Sequence, residues 1–445
     1  MTLTPPIRIG LLGLAVGVVL ADSSVVTIAL PEILTQFDVE VETLAWALTS
    51  FNLALALAAV PAAFVARRSP LPVFVAGAVA FAAASIVCAA ASSFQVLVAA
   101  RTVQGVAGAA IVGAALGLLA AVAGADGRAA RIWALAGIAG AAVGPAVGGV
   151  LAQLFGWESI FAVQAPVVLA TLVAGYGVHG RPALQPLGRP HLGANAALLL
   201  LSGALVGALF LLAILLINGW RLEPLEAGLV LTVMPIAAIA AARFGGAIEP
   251  LWARAAAGVV LVVGGLAALG WLPEAGAAWT VPPQLAVGAG LGLALSALTE
   301  RALAGRSSQA VHGGWTVGAR HAGVVLGLLL LTPIFTADLE QNRNEALAAG
   351  TAYVLDSRIR PLEKVGVARD ILVAVEDAEQ EARVPDIREV VDGGEDPAYA
   401  DLAASLQGQL DRAATNAFSR SFLAAALLGL AALIPLLLQR REVDL

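Results

Sequence analysis

Residues 7–30 read IRIGLLGLAVGVVLADSSVVTIAL, an apolar run carrying two charges, Arg8 at its edge and Asp22 within it. A helix that crosses the hydrocarbon core of a bilayer needs about 20 mostly apolar residues. A cleaved leader has an apolar region of only ~7–15 residues, so this run reads as a retained first span. Eleven more runs follow, at 43–66, 71–91, 94–122, 129–155, 160–178, 192–216, 227–242, 250–272, 281–298, 311–335 and 418–438. The run at 227–242 is the shortest. The whole composition agrees, with 60% of the 445 residues hydrophobic, 13% charged and a mean hydropathy of +0.89. A soluble fold cannot hide that much apolar side chain from water. No strand-like alternation of about ten residues marks a β-barrel. The expected fold class is therefore an all-α membrane protein with twelve transmembrane helices.

Composition also excludes several functions. A net charge of −6 with no basic stripe argues against nucleic acid as a partner. Cys88 is the only cysteine, so neither a disulfide framework nor a CxxC metal site exists. No phosphate-cradling loop is present, which favours gradient-driven work over ATP hydrolysis. No enzyme activity, cofactor or metal is expected.

Basic residues set the orientation. With the N-terminus inside, the inner loops and both ends carry Arg8, Arg67, Arg68, Arg128, Arg131, Arg181, Arg189, Arg243, Arg254, Arg301, Arg306, Arg440 and Arg441. The short outer loops carry Arg221 against Glu32, Asp38, Glu40, Glu42, Glu158, Glu223, Glu226 and Glu274. This asymmetry places both termini in the cytoplasm. The polar, Pro-rich stretch 179–191 (HGRPALQPLGRPH) divides the spans six and six. Two six-helix bundles joined by a cytoplasmic linker, 1–178 and 192–336 with 418–445, is the plan of a rocking transporter.

Residues 337–417 differ from the rest. They hold 17 acidic and 8 basic residues, a net −9, and lie outside by this topology. Without them the chain has 17 basic and 14 acidic residues, so its acidity resides in this one insertion between spans 11 and 12. Leu402, Leu406, Leu410 and Ala414 recur at helical spacing, and Val367, Ile371, Val375 and Ala378 nearly so. Pro361, Pro385, Gly393-Gly394 and Pro397 punctuate the segment into about three helices. It reads as a solvated loop without a role, a cap over an outer vestibule, or a docking site for an envelope protein.

Asp22 lies in a span, where a carboxylate must be paired, hydrated or protonated. It is eight residues from the outer end of span 1, ~12 Å at 1.5 Å per residue. Arg101 on span 4 is seven residues from the same face, ~10 Å. The two charges share a depth, so a pair or relay between them is geometrically open. Desolvation disfavours a charged carboxyl and a nearby guanidinium favours it. An acid that gains and loses Arg101 would load and release a proton, whereas a static pair would hold the helices together. Span 5 contains GIAGAAVGPAVGG (Gly137–Gly149), in which Gly140, Gly144 and Gly148 form a smooth face for another helix. Pro145 allows a bend.

These motifs, in this order, resemble the drug:proton antiporter branch of the major facilitator superfamily, most closely its fourteen-helix subgroup, here with twelve helices. DSSVVTIALPEI (Asp22–Ile33) is similar to that group's span-1 motif, with Thr27 where Asn is usual. LVAARTVQGVAGAA (Leu97–Ala110) is similar to the span-4 motif, and Gly144-Pro145 with Gly148-Gly149 to the antiporter motif of span 5. WESIFAVQAP (Trp157–Pro166), LEAGLVLTVMP (Leu225–Pro235) and TVGARHAGVVLG (Thr316–Gly327) extend the likeness over nearly all of the chain except 337–417. One departure stands out. The family's loop after span 2 carries an Asp that helps lock the inner gate, whereas PAAFVARRSPLP (Pro61–Pro72) has no acid, so that role is not carried over.

The resemblance implies proton antiport by alternating access, with Asp22 and Arg101 as the coupling pair and Gly140, Gly144, Pro145, Gly148 and Gly149 in gating and helix packing. Asn52, Gln104, Gln164, Trp315 and Arg320 are the candidate substrate-cavity residues. Arg320 reads either as a cation for an anionic substrate group or as a tie to a backbone carbonyl, and His321 as a packed or interfacial residue. So few deep polar groups suit a hydrophobic or amphipathic cargo rather than a sugar. The expected protein is a monomeric exporter in a bacterial inner membrane, with lipid, protons and an amphipathic small molecule as partners. A lipid exporter using 337–417 and a non-transporting receptor or scaffold remain as alternatives.

Overall fold

The structure, a computed structural model, describes residues 3–124, 126–175, 178, 187–305, 309–380, 384–391 and 396–443. Its elements are all helical among these residues. The first half holds α1 (Pro5–Phe37), α2 (Val41–Leu44), α3 (Trp46–Ala66), α4 (Pro70–Ala89), α5 (Phe94–Ala123), α6 (Asp126–Phe155) and α7 (Glu158–Ala170). The second holds α8 (Leu192–Ile214), α9 (Pro224–Leu231), α10 (Val233–Phe244), α11 (Leu251–Leu269), α12 (Ala277–Leu303), α13 (Gln309–Asp356), α14 (Pro361–Gln380), α15 (Ile387–Val390), α16 (Pro397–Ala417), α17 (Ser419–Ala431) and α18 (Leu433–Val443). Among the described residues, twelve helical stretches are long and apolar enough to cross a membrane.

Local chemistry explains most boundaries. Pro5, Pro70, Pro224 and Pro397 each occupy the first turn of a helix, where the missing N–H costs nothing. Gly124, at φ 71°, ends α5 in a left-handed turn. Pro235 and Pro435 lack the N–H that would bond the carbonyls of Leu231 and Ala431, and the helix steps at Thr232 and Ala432 between α9/α10 and α17/α18. The eighth span is accordingly longer than its apolar run, from Pro224 to Ala247 with that step inside it. Leu57, Leu154, Ile236 and Leu427 stay exposed on the bundle, as expected where the solvent is lipid.

In the first half α1 packs on α6, α3 and α4 on α5, and α4 on α7. In the second, α8 packs on α13, α12 on α10 and α11, and α17 on α8 and α11. The halves meet along α3 with α13, and along α6 with α9 and α10. Most of the linker, 179–186, lies outside the described residues.

Span 11 does not stop at residue 335. The helix α13 continues unbroken to Asp356, and its 48 residues cover ~72 Å, more than twice a ~30 Å hydrocarbon core. Its far part, α14, α15 and α16 form a separate small core from Val354, Ile359, Val367, Ile387, Leu402 and Leu406. The periodic Leu402 and Leu406 are both buried there. This helical cluster is fastened to the bundle. Val384 N–H donates to the Asn218 carbonyl (3.0 Å), Arg221 pairs with Asp411 (3.5 Å) and Arg420 with Asp338 (2.9 Å).

Candidate functional site

Asp22 on α1 and Arg101 on α5 meet in an ion pair, Nη1 to Oδ2 at 2.6 Å, with both side chains fully buried. Each is held by further groups. Arg101 donates from Nε to the Ala47 carbonyl (2.9 Å) and from Nη1 to Gln104 Oε1 (2.7 Å). Its guanidinium also lies over the rings of Phe51 (4.4 Å) and Phe161 (5.5 Å), a contact that suits a weakly hydrated cation in a dry site. Gln164 on α7 donates to Asp22 Oδ1 (3.1 Å) and accepts from Gln104 Nε2 (2.8 Å), which also donates to Ser85 Oγ on α4 (2.8 Å).

The network thus ties α1, α3, α4, α5 and α7 of the first half together. Three charge-assisted or amide bonds on Arg101 offset part of the desolvation that a buried pair suffers. The Arg101 Nη2 group has no hydrogen-bond partner among the described residues. In this conformation the pair is sealed by Phe51 and Phe161, both buried.

The cavity candidates separate into two groups. Gln104 and Gln164 belong to the ion-pair network and are buried, as is Asn52. Trp315 is 41% exposed. Arg320 is half-buried and makes no hydrogen bond or ion pair with a described residue. Asn52 bridges the halves. Its Oδ1 lies 2.7 Å from His321 Nδ1 on α13 and accepts from Ser23 Oγ (3.1 Å), the residue beside Asp22. Its Nδ2 donates to the Leu48 carbonyl (2.7 Å).

Sequence reasoning missed Ser85, Ser23 and the aromatic faces of Phe51 and Phe161. Ser85 had a signal, a hydroxyl in the middle of an otherwise apolar span. The aromatic contacts had none, because they depend on helix rotation.

The glycine-rich stretch of α6 serves two seams. Gly140, Gly144 and Gly148 face α1. A Cβ on Gly140 would strike the Gly17 carbonyl, one on Gly144 the Ser24 hydroxyl, and one on Gly148 would sit 2.7 Å from the Val25 carbonyl. Gly149 and Pro145 face α9 of the other half. A Cβ on Gly149 would lie 2.7 Å from the Pro224 carbonyl, and one on Gly228 would lie 2.5 Å from the Pro145 carbonyl. Nearby, Leu225 N–H donates to Gln153 Oε1 (3.0 Å). At the opposite end of the bundle, Gly314 of α13 approaches the Ala59 carbonyl of α3, and Gly313 approaches Leu116 and Trp133.

Comparison with known proteins agrees with this architecture. The chain is 32% identical over 177 residues to the methylenomycin A resistance protein of Bacillus subtilis, a match covering 38% of each chain. It is 35% identical over 170 residues to the tetracenomycin C resistance and export protein of Streptomyces glaucescens, covering 37% of this chain and 32% of that one. These matches span under two fifths of the relatives' length. Among solved structures, a bacterial homolog of the human lysosomal transporter Spinster, in an inward-facing and unoccupied conformation, superposes with a TM-score of 0.67 at 15% identity, over 97% of this chain and 98% of that one. The family model described as Major Facilitator Superfamily matches residues 12–332. With twelve membrane-length helices in two packed halves and a match across most of its length, this chain belongs to the major facilitator superfamily.

Proposed function

We propose that this protein is a secondary transporter that exports hydrophobic or amphipathic small molecules by proton antiport. It sits in a bacterial inner membrane as a monomer, with both termini in the cytoplasm and residues 337–417 outside. The observation that carries the coupling is the fully buried Asp22–Arg101 pair. A buried carboxylate is stable as an anion only while its cation stays in place. Any movement of α1 against α5 that separates the two would make Asp22 take up a proton, and re-forming the pair would release it. Gln164 and Gln104 connect this event to α7 and α4, while Ser23 and Asn52 connect it to the seam between the halves.

Export of drug-like molecules is supported by the relatives, which are named for antibiotic resistance and, in one case, export. Arg320, which makes no hydrogen bond or ion pair with a described residue, is the group best placed to meet an anionic or polar part of the cargo. The test is flux in proteoliposomes under an imposed pH gradient. Asp22→Asn should abolish gradient-driven accumulation of a fluorescent amphiphile while leaving downhill exchange measurable. Undiminished coupled flux in that variant would remove Asp22 from the mechanism.

A further inference from the structure

A titratable side chain lies in the seam between the halves. His321 of α13 is buried, and its Nδ1 sits 2.7 Å from Asn52 Oδ1 on α3. The surroundings of Asn52 decide where the hydrogen between them resides. Asn52 Nδ2 donates to the Leu48 carbonyl at 2.7 Å, and Oδ1 accepts from Ser23 Oγ at 3.1 Å. Turning the amide over would set its oxygen against the Leu48 carbonyl, acceptor against acceptor. Oδ1 therefore faces the imidazole, and an oxygen that can only accept needs an Nδ1–H opposite it. The neutral ring is then the Nδ1–H tautomer, with its lone pair on Nε2. That nitrogen makes no hydrogen bond with a described residue.

His321 reaches the Asp22–Arg101 pair by two routes through α3. Asn52 leads to Ser23, the neighbour of Asp22. The Phe51 ring stands edge-on to the imidazole, centroids 6.4 Å apart, while its face carries the Arg101 guanidinium at 4.4 Å. The charges around the ring offer it no spare anion. Asp22 of α1 is already held by Arg101 of α5 at 2.6 Å. Arg320 precedes His321 on α13, and His312 lies nine residues away, ~14 Å toward the inner end. The helices α3 and α8 carry no titratable side chain. Glu300 and Arg301 sit in the last turns of α12, and Glu42 of α2 is exposed. The one charge on α17, Arg420, pairs with Asp338, ~25 Å farther along α13. The helices α14 and α16 lie against the outer extension of α13, at Leu355 and Tyr353.

The joined seam therefore suits a neutral imidazole. A proton on Nε2 would make the Nδ1–H bond about twice as strong. It would also bury a charge without a counter-ion beside Arg320, and the hydration lost exceeds what one stronger hydrogen bond returns. We infer that His321 Nε2 is a second proton-binding site of the transporter, empty while α3 and α13 are joined and filled from water when they part. The proton enters the Nε2 lone pair and leaves from the same atom as the seam closes, so no other reactant takes part. The inference rests on the alternating-access reading and is independent of the role given to Asp22. An imidazole in water titrates near pH 6.5. With the joined form neutral throughout, the ratio of parted to joined molecules should rise about thirtyfold from pH 8 to pH 5.

The test uses the full-length protein in lipid nanodiscs, with Cys88→Ala and neither gradient nor cargo. Spin labels are placed at Glu42 and Glu340 for the outer end of the seam, and at Ser69 and Ala304 for the inner end, four exposed positions. Pulsed EPR should show the longer distance of one pair gaining about thirtyfold over the shorter between pH 8 and pH 5. In His321→Gln the side-chain amide can still donate to Asn52 Oδ1 but takes no proton, and the rise should vanish. The same rise in His321→Gln overturns the inference, including where populations shift equally at both pH values, as a purely structural tie would give. Absence of any rise with His321 in place overturns it whether or not the variant folds. Asp22→Asn should keep the rise, and its loss there assigns the response to the ion pair and overturns the site at His321. Because distances are read without flux, failure here leaves the coupling test at Asp22 intact.

Discussion

Arg101→Met and Asp22→Asn remove opposite ends of one ion pair, and the structure predicts unequal losses. In Arg101→Met the carboxylate of Asp22 stays fully buried with Gln164 Nε2 as its remaining donor among the described residues. Leaving one charge of a buried pair uncompensated costs about 3–5 kcal/mol. In Asp22→Asn the guanidinium keeps the Ala47 carbonyl, Gln104 Oε1 and the rings of Phe51 and Phe161. The amide oxygen can also still accept from Nη1. The loss there is one charge-assisted bond, about 1.5–3 kcal/mol. The double variant leaves no charge behind and should be more stable than Arg101→Met alone. The assay is denaturant titration in mixed micelles, followed by tryptophan fluorescence. If Arg101→Met is no more destabilising than Asp22→Asn, or if the double variant shows the sum of the single losses, the pair is not the buried, mutually dependent unit described.

The glycine seam gives a graded test. Gly140→Ala drives a Cβ into the Gly17 backbone carbonyl, which cannot move aside, so a loss of about 1–3 kcal/mol is expected. Gly144→Ala meets side-chain atoms, the Ser24 hydroxyl, which can rotate, with Ser24 Cβ and Val25 Cγ2 at 3.2 Å, and should cost less in the same thermal melts. The reverse order would contradict the packing of α6 on α1. Asn52→Leu removes the link between Ser23 and His321 across the halves. The one bond that crosses the halves, to His321, weighs about 1 kcal/mol, so conformers with α3 and α13 parted should gain roughly fivefold in population. Pulsed EPR between labels at Glu42 and Glu340 would report this, and an unchanged distance distribution would deny the bridge any role in holding the halves.

Much of the fold is legible residue by residue because membrane insertion is a local requirement. Each span must satisfy its own backbone hydrogen bonds and present apolar side chains to lipid, so the stretch at 7–30 declares itself without reference to any other. Boundaries blur where neighbours decide. The run at 227–242 looked short because Pro224 to Leu231 includes Glu226 near a helix end, yet that turn packs on α6 through Gly228. Asp338 could not be read as interior from its charge, and it is buried because Arg420 reaches it from α17.

By itself the sequence determined the twelve helices and the shared depth of Asp22 and Arg101, since both follow from spacing along single helices, while the superfamily entered as a resemblance of motifs that the family model over residues 12–332 then matched. Only the tertiary structure decided that those two charges touch, that Gln104 and Gln164 serve the pair, and that Asn52 and His321 join the two halves. These depend on how helices rotate and pack against partners tens to hundreds of residues away. A cavity beneath 337–417 belongs to the same class. No segment of the chain contains it, and it exists where the end of α8, the middle of α13, Val375 of α14 and the end of α16 meet without filling the space between them.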